Sequence, residues 1–96
     1  MFADLQIPDS EEALAKAEIA ARIVYAIERR ELTQAHAAAL LSVDQADVSD
    51  LVRGKMRGFS TDRLFRFLNA LGQDVEIIIR RKRHSRGIGR IRVIDK

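Results

Sequence analysis

Residues 32–54 read LTQAHAAALLSVDQADVSDLVRG and contain two short helical patterns on either side of a break. Thr33 is a residue type that caps helix N-termini, and the alanine-rich run after it predicts a helix over Gln34–Leu41. A Ser-Val break follows. Asp44 is a second candidate N-cap and predicts a further helix over Gln45–Val52. The stretch therefore predicts two helices joined by a tight turn.

The sequence on either side of this stretch predicts two more helices. After Pro8, an acidic segment favours a helix N-terminus, and a long helix with one apolar stripe should end near Arg30. A fourth helix should begin after the candidate cap Ser60 and end before Gly72. The side chains predicted to face the core from these helices and from Gln45–Val52 are Ile19, Ile23, Val24, Ile27, Val48, Leu51, Leu64, Phe67, Leu68 and Leu71.

The pattern changes after the fourth helix, where four β-branched residues occur within the five positions Val75–Ile79. Such a run favours a strand. This strand could pair with residues 90–94, which alternate basic and apolar side chains, with a partner protein, or with a second copy of the chain. The predicted architecture is mainly α, with four or five helices and a C-terminal β-strand or hairpin. It divides into a domain over residues 1–79 and a basic extension over residues 80–96, which could hold the second strand.

Composition limits the class of protein. With 96 residues, 47% hydrophobic and 32% charged, the chain has the size and balance of one compact domain. It has no cysteine, which excludes disulfides and thiolate metal sites. We expect neither a secretion signal, because Met1–Glu12 is acidic, nor a bilayer-spanning helix, because no apolar run is long enough. We therefore expect a cytoplasmic protein without a membrane partner. Because a short domain buries little surface alone, we also expect a homodimer.

The positive charge is concentrated at the C-terminus. Residues 80–96 hold eight Lys or Arg against the single Asp95, a net charge of +7, whereas residues 1–79 carry nine basic against thirteen acidic residues, a net −4. The extension could bind a polyanion or simply be a solvated surface. His36 and His84 have no partners at metal-site or triad spacing. We therefore predict no enzymatic activity, no catalytic residue, no metal and no cofactor.

Two short helices with a tight turn, followed by a basic loop, allow the second helix to enter a DNA major groove. The motifs in this stretch that carry a family resemblance are Leu32-Thr33-Gln34, Val43-Asp44-Gln45, Val48-Ser49 and Arg53-Gly54. They resemble the phage-repressor-like helix-turn-helix family, called the Xre or Cro/C1 type, over about residues 20–72. A narrower resemblance, to HigA-like antitoxins and regulators over about residues 2–79, rests on Phe2-Ala3-Asp4-Leu5, Pro8-Asp9, Gly58-Phe59-Ser60, Leu68-Asn69-Ala70-Leu71-Gly72 and Asp74-Val75-Glu76-Ile77.

The resemblance implies a lambda-repressor-like fold, commonly dimeric, that binds double-stranded DNA at a palindromic operator. Many HigA-like proteins are encoded beside a RelE-like ribonuclease toxin, which they inhibit while repressing the shared operon. We therefore expect a sequence-specific repressor that is also the antitoxin of a HigB/RelE-like toxin. Two alternatives stay open. One is a stand-alone regulator without a toxin, and the other is a protein-binding module whose helix-turn-helix serves mainly as a scaffold.

The resemblance also assigns residues to the DNA interface. The residues expected to bind phosphates are Thr33, Gln34, Arg53, Lys55 and Arg57. Those expected to read bases are Gln45, Ala46, Asp47, Ser49 and Asp50, because amide, methyl, carboxylate and hydroxyl groups each match particular base edges. Asp47 could instead cap its own helix, and Ser49 and Asp50 could face the DNA backbone. Any one of the three cations Arg53, Lys55 and Arg57 could instead be an ordinary solvated side chain. The residues expected to form the dimer are Val75, Ile77 and Ile79.

The sequence departs from the family at two points. Ser42 stands at the turn, where the family usually has glycine, and a left-handed backbone there would cost about 1 kcal/mol relative to glycine. The expected recognition helix and its cap carry Asp44, Asp47 and Asp50, with no basic residue before Arg53. Because these carboxylates repel phosphates, affinity for DNA must come from the loops and a second subunit, or be weak.

Overall fold

The computed structural model describes residues 9–81 and 89–94 of the chain. Four helices follow one another within these ranges: α1 (Asp9–Arg29), α2 (Gln34–Leu41), α3 (Gln45–Val52) and α4 (Thr61–Ala70). The predicted bounds of α2 and α3 are confirmed, and so is the mainly α architecture. The described residues contain no fifth helix.

Side-chain caps start two of the helices. The Oγ1 atom of Thr33 accepts a hydrogen bond of 3.1 Å from the backbone N–H of His36 at the start of α2. The Oγ atom of Ser60 accepts a hydrogen bond of 3.1 Å from the backbone N–H of Arg63 in α4. Each bond satisfies an amide that has no partner within its own helix. Asp44 holds the N-cap position of α3 without a side-chain capping bond.

The core forms where α1 lies against α3 and α4, and where α2 lies against α3. Its centre consists of Ile23, Val48 and Leu64, each 0% exposed, and Leu51, which is 2% exposed. Burial of an aliphatic side chain of this size stabilises the fold by about 1.5–3 kcal/mol. Among the described side chains, none that is polar or charged is buried. The predicted core residues are confirmed except Val24, which is half-buried.

The predicted strand is wrong for the described residues. Neither 74–81 nor 89–94 is a strand, and no described backbone hydrogen bond joins the two segments. Ile77 and Ile79 are 70% and 91% exposed. β-Branched residues favour an extended backbone, but a strand also needs a neighbouring strand whose backbone groups bond to its own N–H and C=O groups. Residues 9–81 and 89–94 contain no such neighbour. Most of the predicted basic extension, residues 82–88 and 95–96, lies outside the described residues.

Two contacts attach these non-helical segments to the helices. The backbone N–H of Ile91 donates a hydrogen bond of 3.0 Å to Oε1 of Glu11 in α1. Val75 and Val93 are half-buried and pack against the core. The segments therefore lie beside α1 and α4.

Candidate nucleic-acid interface

The turn between α2 and α3 has the left-handed residue that the sequence analysis anticipated. Ser42 has φ 60° and ψ 46°, the left-handed region in which most side chains are unfavourable. The backbone N–H of Val43 donates to the carbonyl oxygen of Ala38 at 3.0 Å, and that of Ser42 donates to Ala39 at 3.3 Å. These bonds satisfy carbonyls at the end of α2. The turn is therefore tight although it has no glycine.

Small side chains bring α2 and α3 close together. Ala37 is 0% exposed and Ala38 is 6% exposed, so the middle of the buried face of α2 carries only methyl groups. Leu41 at the end of α2 is also buried, and Val48 is the fully buried residue of α3. Because close-packed interiors resist displacement, the two helices form one rigid unit.

The burial of Val48 and Leu51 determines which residues of α3 face away from the core. At 3.6 residues per turn, Ala46, Ser49 and Asp50 lie on the opposite side of the helix. Ala46 is exposed, whereas Ser49 and Asp50 are half-buried. These three residues form the outer face of α3.

The remaining predicted base-reading residues lie on the two flanks of α3. Gln45 is exposed and is on the same side as Ser49, one turn along the helix. Asp47 is on the other flank and is half-buried, and its Oδ2 atom lies 3.8 Å from a guanidinium nitrogen of Arg63 in α4. Its predicted alternative role, a cap on its own helix, is not seen in the hydrogen bonds of α3. The structure therefore gives Asp47 a partner in another helix.

The predicted phosphate-binding residues come before and after α3 in the chain. Gln34 is exposed at the first position of α2, directly after the cap Thr33. Arg53 ends α3, and Lys55 and Arg57 follow in the loop, all three exposed. Their nitrogen atoms are free to meet an anionic surface, because the described residues offer them no ion pair with a carboxylate.

The loop after α3 is held at both ends. The backbone N–H of Lys55 donates to the carbonyl oxygen of Asp50 at 2.8 Å, which closes the end of α3 with Gly54 at φ 77°. At the other end, Phe59 is buried with 3% exposure, and Met56 packs against the core. The basic side chains thus project from a loop whose apolar residues are anchored.

Arg63 joins this loop to α3 and α4, and it was not among the residues predicted from the sequence. One terminal nitrogen donates to the carbonyl oxygen of Gly58 at 3.4 Å, and the other faces Asp47. The guanidinium carbon lies 5.0 Å from the ring centroid of Phe59 and 5.4 Å from that of Phe67. A partial signal was present in the sequence, because Arg63 and Phe67 are four apart on one face of the predicted fourth helix, and Phe59 directly precedes its candidate cap Ser60.

The described ranges contain neither a cluster of metal-ligating side chains nor a helix that could cross a membrane. In the ranges 9–81 and 89–94, no group of three or more His, Cys, Asp or Glu side chains could hold a metal ion. His36 is exposed on α2, and His84 lies outside the described residues. No helix within those ranges is both long and apolar enough to cross a membrane.

Comparisons with known proteins give the family. The family described as a helix-turn-helix domain matches residues 1–80 of the chain. A solved structure whose name assigns it to the XRE family of transcriptional regulators superposes with a TM-score of 0.86 at 47% sequence identity, covering 93% of this chain and 100% of its own. No curated protein matches. The chain therefore belongs to the XRE-type helix-turn-helix family.

Proposed function

We propose that this protein is a sequence-specific DNA-binding transcriptional repressor that inserts α3 into the major groove. The observation that carries the proposal is the rigid α2–α3 unit, in which one face of α3 is fixed in the core and the other carries small polar side chains. A major groove admits one α-helix, and residues at its outer face reach the base edges. The name of the solved relative, an XRE-family transcriptional regulator, points to the same function.

Base reading on this proposal comes from the outer face and the Gln45 flank of α3. The Gln45 amide can pair bidentately with adenine, and the Ala46 methyl can contact a thymine methyl. The Ser49 hydroxyl can donate or accept, and the Asp50 carboxylate can accept from cytosine N4. Asp47, which was also predicted to read a base, has Arg63 as a partner, and its role is treated separately below.

Affinity on this proposal comes from the polar and basic side chains before and after α3. Gln34 at the start of α2 and the exposed Arg53, Lys55 and Arg57 would contact phosphates on both sides of the groove. The hydroxyl of Thr33 already accepts the capping bond from His36, so Thr33 would help mainly by presenting the amides of its helix. Each phosphate that is neutralised releases about one counterion, and binding should weaken steeply with salt.

The test is a binding measurement with the full chain. DNA from upstream of its own coding region, and a pool selected from random sequence, would be compared with scrambled duplexes by fluorescence anisotropy at two salt concentrations. Preference for one sequence that persists at the higher salt is the expected result. Equal binding to all duplexes, or no binding, would contradict the proposal.

We also propose that the protein is a dimer on a palindromic operator, with half-sites about one helical turn, or roughly 34 Å, apart. Support comes from the exposed isoleucines 77–79, which a single chain leaves in water. Pairing of Val75, Ile77 and Ile79 with the same residues of a second copy would bury them and would give their backbone groups partners. A dimer also binds two half-sites at once, which raises the overall affinity although Asp44 and Asp50 repel phosphates in each half-site.

The more specific proposal is an antitoxin of a HigB/RelE-like ribonuclease that also represses the shared operon. Its support is the HigA-like resemblance of the sequence and the net charge of −4 on residues 1–79, which would attract a basic toxin. Purification of the tagged chain from its native host, followed by mass spectrometry, should recover a small basic ribonuclease at a constant ratio. A chain that purifies without such a companion would be a stand-alone regulator.

A second candidate function is a protein-binding module that uses the helix-turn-helix only as a scaffold. The observation that favours it is the acidic character of α3, which has Asp47 and Asp50 and no basic residue before its C-cap Arg53. The DNA-binding measurement separates the two functions. Failure to prefer any DNA sequence, together with recovery of a stable protein partner, would favour this candidate.

A further inference from the structure

The guanidinium of Arg63 contacts three parts of the DNA-facing region. It lies 3.8 Å from the carboxylate of Asp47 in α3, and it donates to the carbonyl oxygen of Gly58 in the basic loop. It also lies against the rings of Phe59 and Phe67, the first before α4 and the second within it. One side chain therefore links the recognition helix, the loop and α4.

The aromatic rings give this guanidinium a fixed position. Phe59 and Phe67 are 3% and 5% exposed, and their ring centroids are 6.1 Å apart with planes at 76°. A cation within about 6 Å of an aromatic centroid is attracted to the ring, and here two buried rings act on one group. The side chain of Arg63 is 42% exposed, so part of its charge is shielded from water. It is held more firmly than a free surface arginine.

The other ion pair of α4 provides a contrast. Arg66 lies 3.2 Å from Asp62, but both residues belong to α4, and their side chains are 76% and 72% exposed. No described aromatic ring contacts Arg66. This shorter ion pair does not connect α4 to α3, because both partners are on α4. The longer contact between Arg63 and Asp47 is the one that joins two helices.

The direction of Asp47 decides what its charge does at a DNA surface. Val48 and Leu51 point into the core, so Asp47 lies on the flank of α3 beside α4 and not on the outer face with Ala46 and Ser49. A carboxylate without a partner in this first turn would repel phosphates of the groove wall. Paired with Arg63, it presents no net charge to the DNA.

Resting on the proposed DNA-binding function, we infer that Arg63 is a positioning residue for base recognition. It retains Asp47 at the junction of α3 and α4, so that Asp47 does not read a base and does not repel the phosphates. Through Gly58 it also aligns the loop that carries Lys55 and Arg57. Specificity then comes from Gln45, Ala46, Ser49 and Asp50 alone.

The test uses the full chain with Arg63→Met, which keeps the apolar stem and removes the charge. Arg66→Met is the matched control on the same helix. Each change is made with and without Asp47→Asn, and binding is measured on the selected operator and on its single-base variants. Arg63→Lys, which keeps a charge without the planar fork, provides a milder variant if Arg63→Met does not fold by circular dichroism.

We expect Arg63→Met to weaken operator binding and to change the base preference near the start of α3 by at least about fivefold, the lower end of one base contact. In the Arg63→Met background, Asp47→Asn should restore the operator affinity and the base preference. In the wild type, Asp47→Asn should change these two quantities by less than half as much as Arg63→Met does. Arg66→Met should leave the base preference unchanged. Asp50→Asn removes a carboxylate on the outer face of α3. It should change operator binding equally in the wild type and in the Arg63→Met variant.

Three results would overturn the inference. Arg63→Met could weaken all sequences equally and lower the salt slope by about one, which would make Arg63 a direct phosphate contact. Its effects could also add to those of Asp47→Asn without any rescue, or Arg63→Met could change nothing. In each case the wild type still prefers its operator, so the proposed function stands. A wild type without sequence preference would instead reject the proposed function, and the inference with it.

Discussion

The backbone N–H of Val43 donates a hydrogen bond of 3.0 Å to the carbonyl oxygen of Ala38 across the turn between α2 and α3. This bond encloses Ser42, which it holds at φ 60° in the left-handed region. The turn fixes the angle at which α3 leaves α2, and therefore the direction of its outer face. Glycine adopts this left-handed conformation at a lower conformational energy than serine, so the backbone strain at position 42 can be measured by substitution.

Replacement of Ser42 by glycine should raise the free energy of unfolding by about 0.5–1 kcal/mol, because glycine adopts the left-handed region without a steric penalty. Urea denaturation of the full chain measures the change. Ser49→Gly is the matched control, and it should lower stability by about 0.5 kcal/mol since Ser49 lies within α3. A lower free energy of unfolding for both variants would show that the backbone at position 42 is not strained.

The packing of α3 onto the core can be tested with two valines of the same helix. Val48 is 0% exposed and Val52 is 47% exposed. Val48→Ala should lower the free energy of unfolding by about 2 kcal/mol, since it removes two buried methyl groups and leaves a cavity. Val52→Ala should change it by no more than about 0.5 kcal/mol. Similar losses at both positions in urea denaturation would mean that α3 does not present its Val48 face to the core.

Much of the fold could be predicted because its signals are local. Thr33 and Ser60 cap helices through the N–H groups three residues later, and the spacing of apolar residues gives the buried faces of α1 and α4. The failure at residues 75–79 has a physical cause. β-Branched composition reports backbone preference, whereas a strand also requires a hydrogen-bonded neighbour, and the part of the chain that the structure describes contains none.

The site was predictable in part for the same reason. Exposure of Ala46 follows from the burial of Val48 and Leu51 on the opposite face of α3, and Gln45 lies on an exposed flank. The cations Arg53, Lys55 and Arg57 are exposed because charged side chains at the end of a helix and in a loop stay in water. The contact between Asp47 and Arg63 joins residues sixteen positions apart on two helices, so no local pattern contained it. The roles of these residues in DNA binding stay predictions until the following substitutions are measured.

Gln45→Ala should relax the base preference at one operator position by about 1–3 kcal/mol, because the bidentate pairing of the amide with a base would be lost. The measurement is anisotropy with the selected operator and all substitutions at each position. Gln73→Ala removes an exposed glutamine after α4 and serves as the control, with no change in preference expected. A uniform loss across all operator variants would assign Gln45 to the DNA backbone instead.

Arg57→Ala should weaken binding to all DNA sequences alike and lower the dependence of log K on log salt by about one, because one phosphate contact is removed. A salt titration of operator and scrambled duplexes measures both quantities. Arg66→Ala removes an arginine that is paired with Asp62 on α4, and it should change the slope by much less. A selective loss on the operator would make Arg57 a base-reading residue.

Ile77→Lys should shift the chain from dimer to monomer in sedimentation velocity, because two lysines would meet at the proposed interface around Val75, Ile77 and Ile79. Ile77 is 70% exposed in the single chain, so the substitution leaves the core intact and thermal unfolding of the monomer should be little affected. Leu14→Lys adds the same charge at another exposed apolar position, 59% exposed on α1, and should leave the dimer in place. The monomeric variant should also bind a palindromic operator more weakly than a wild-type dimer, while its affinity for one half-site stays the same, since α3 is unchanged. A dimer that persists after Ile77→Lys would place the interface on another surface.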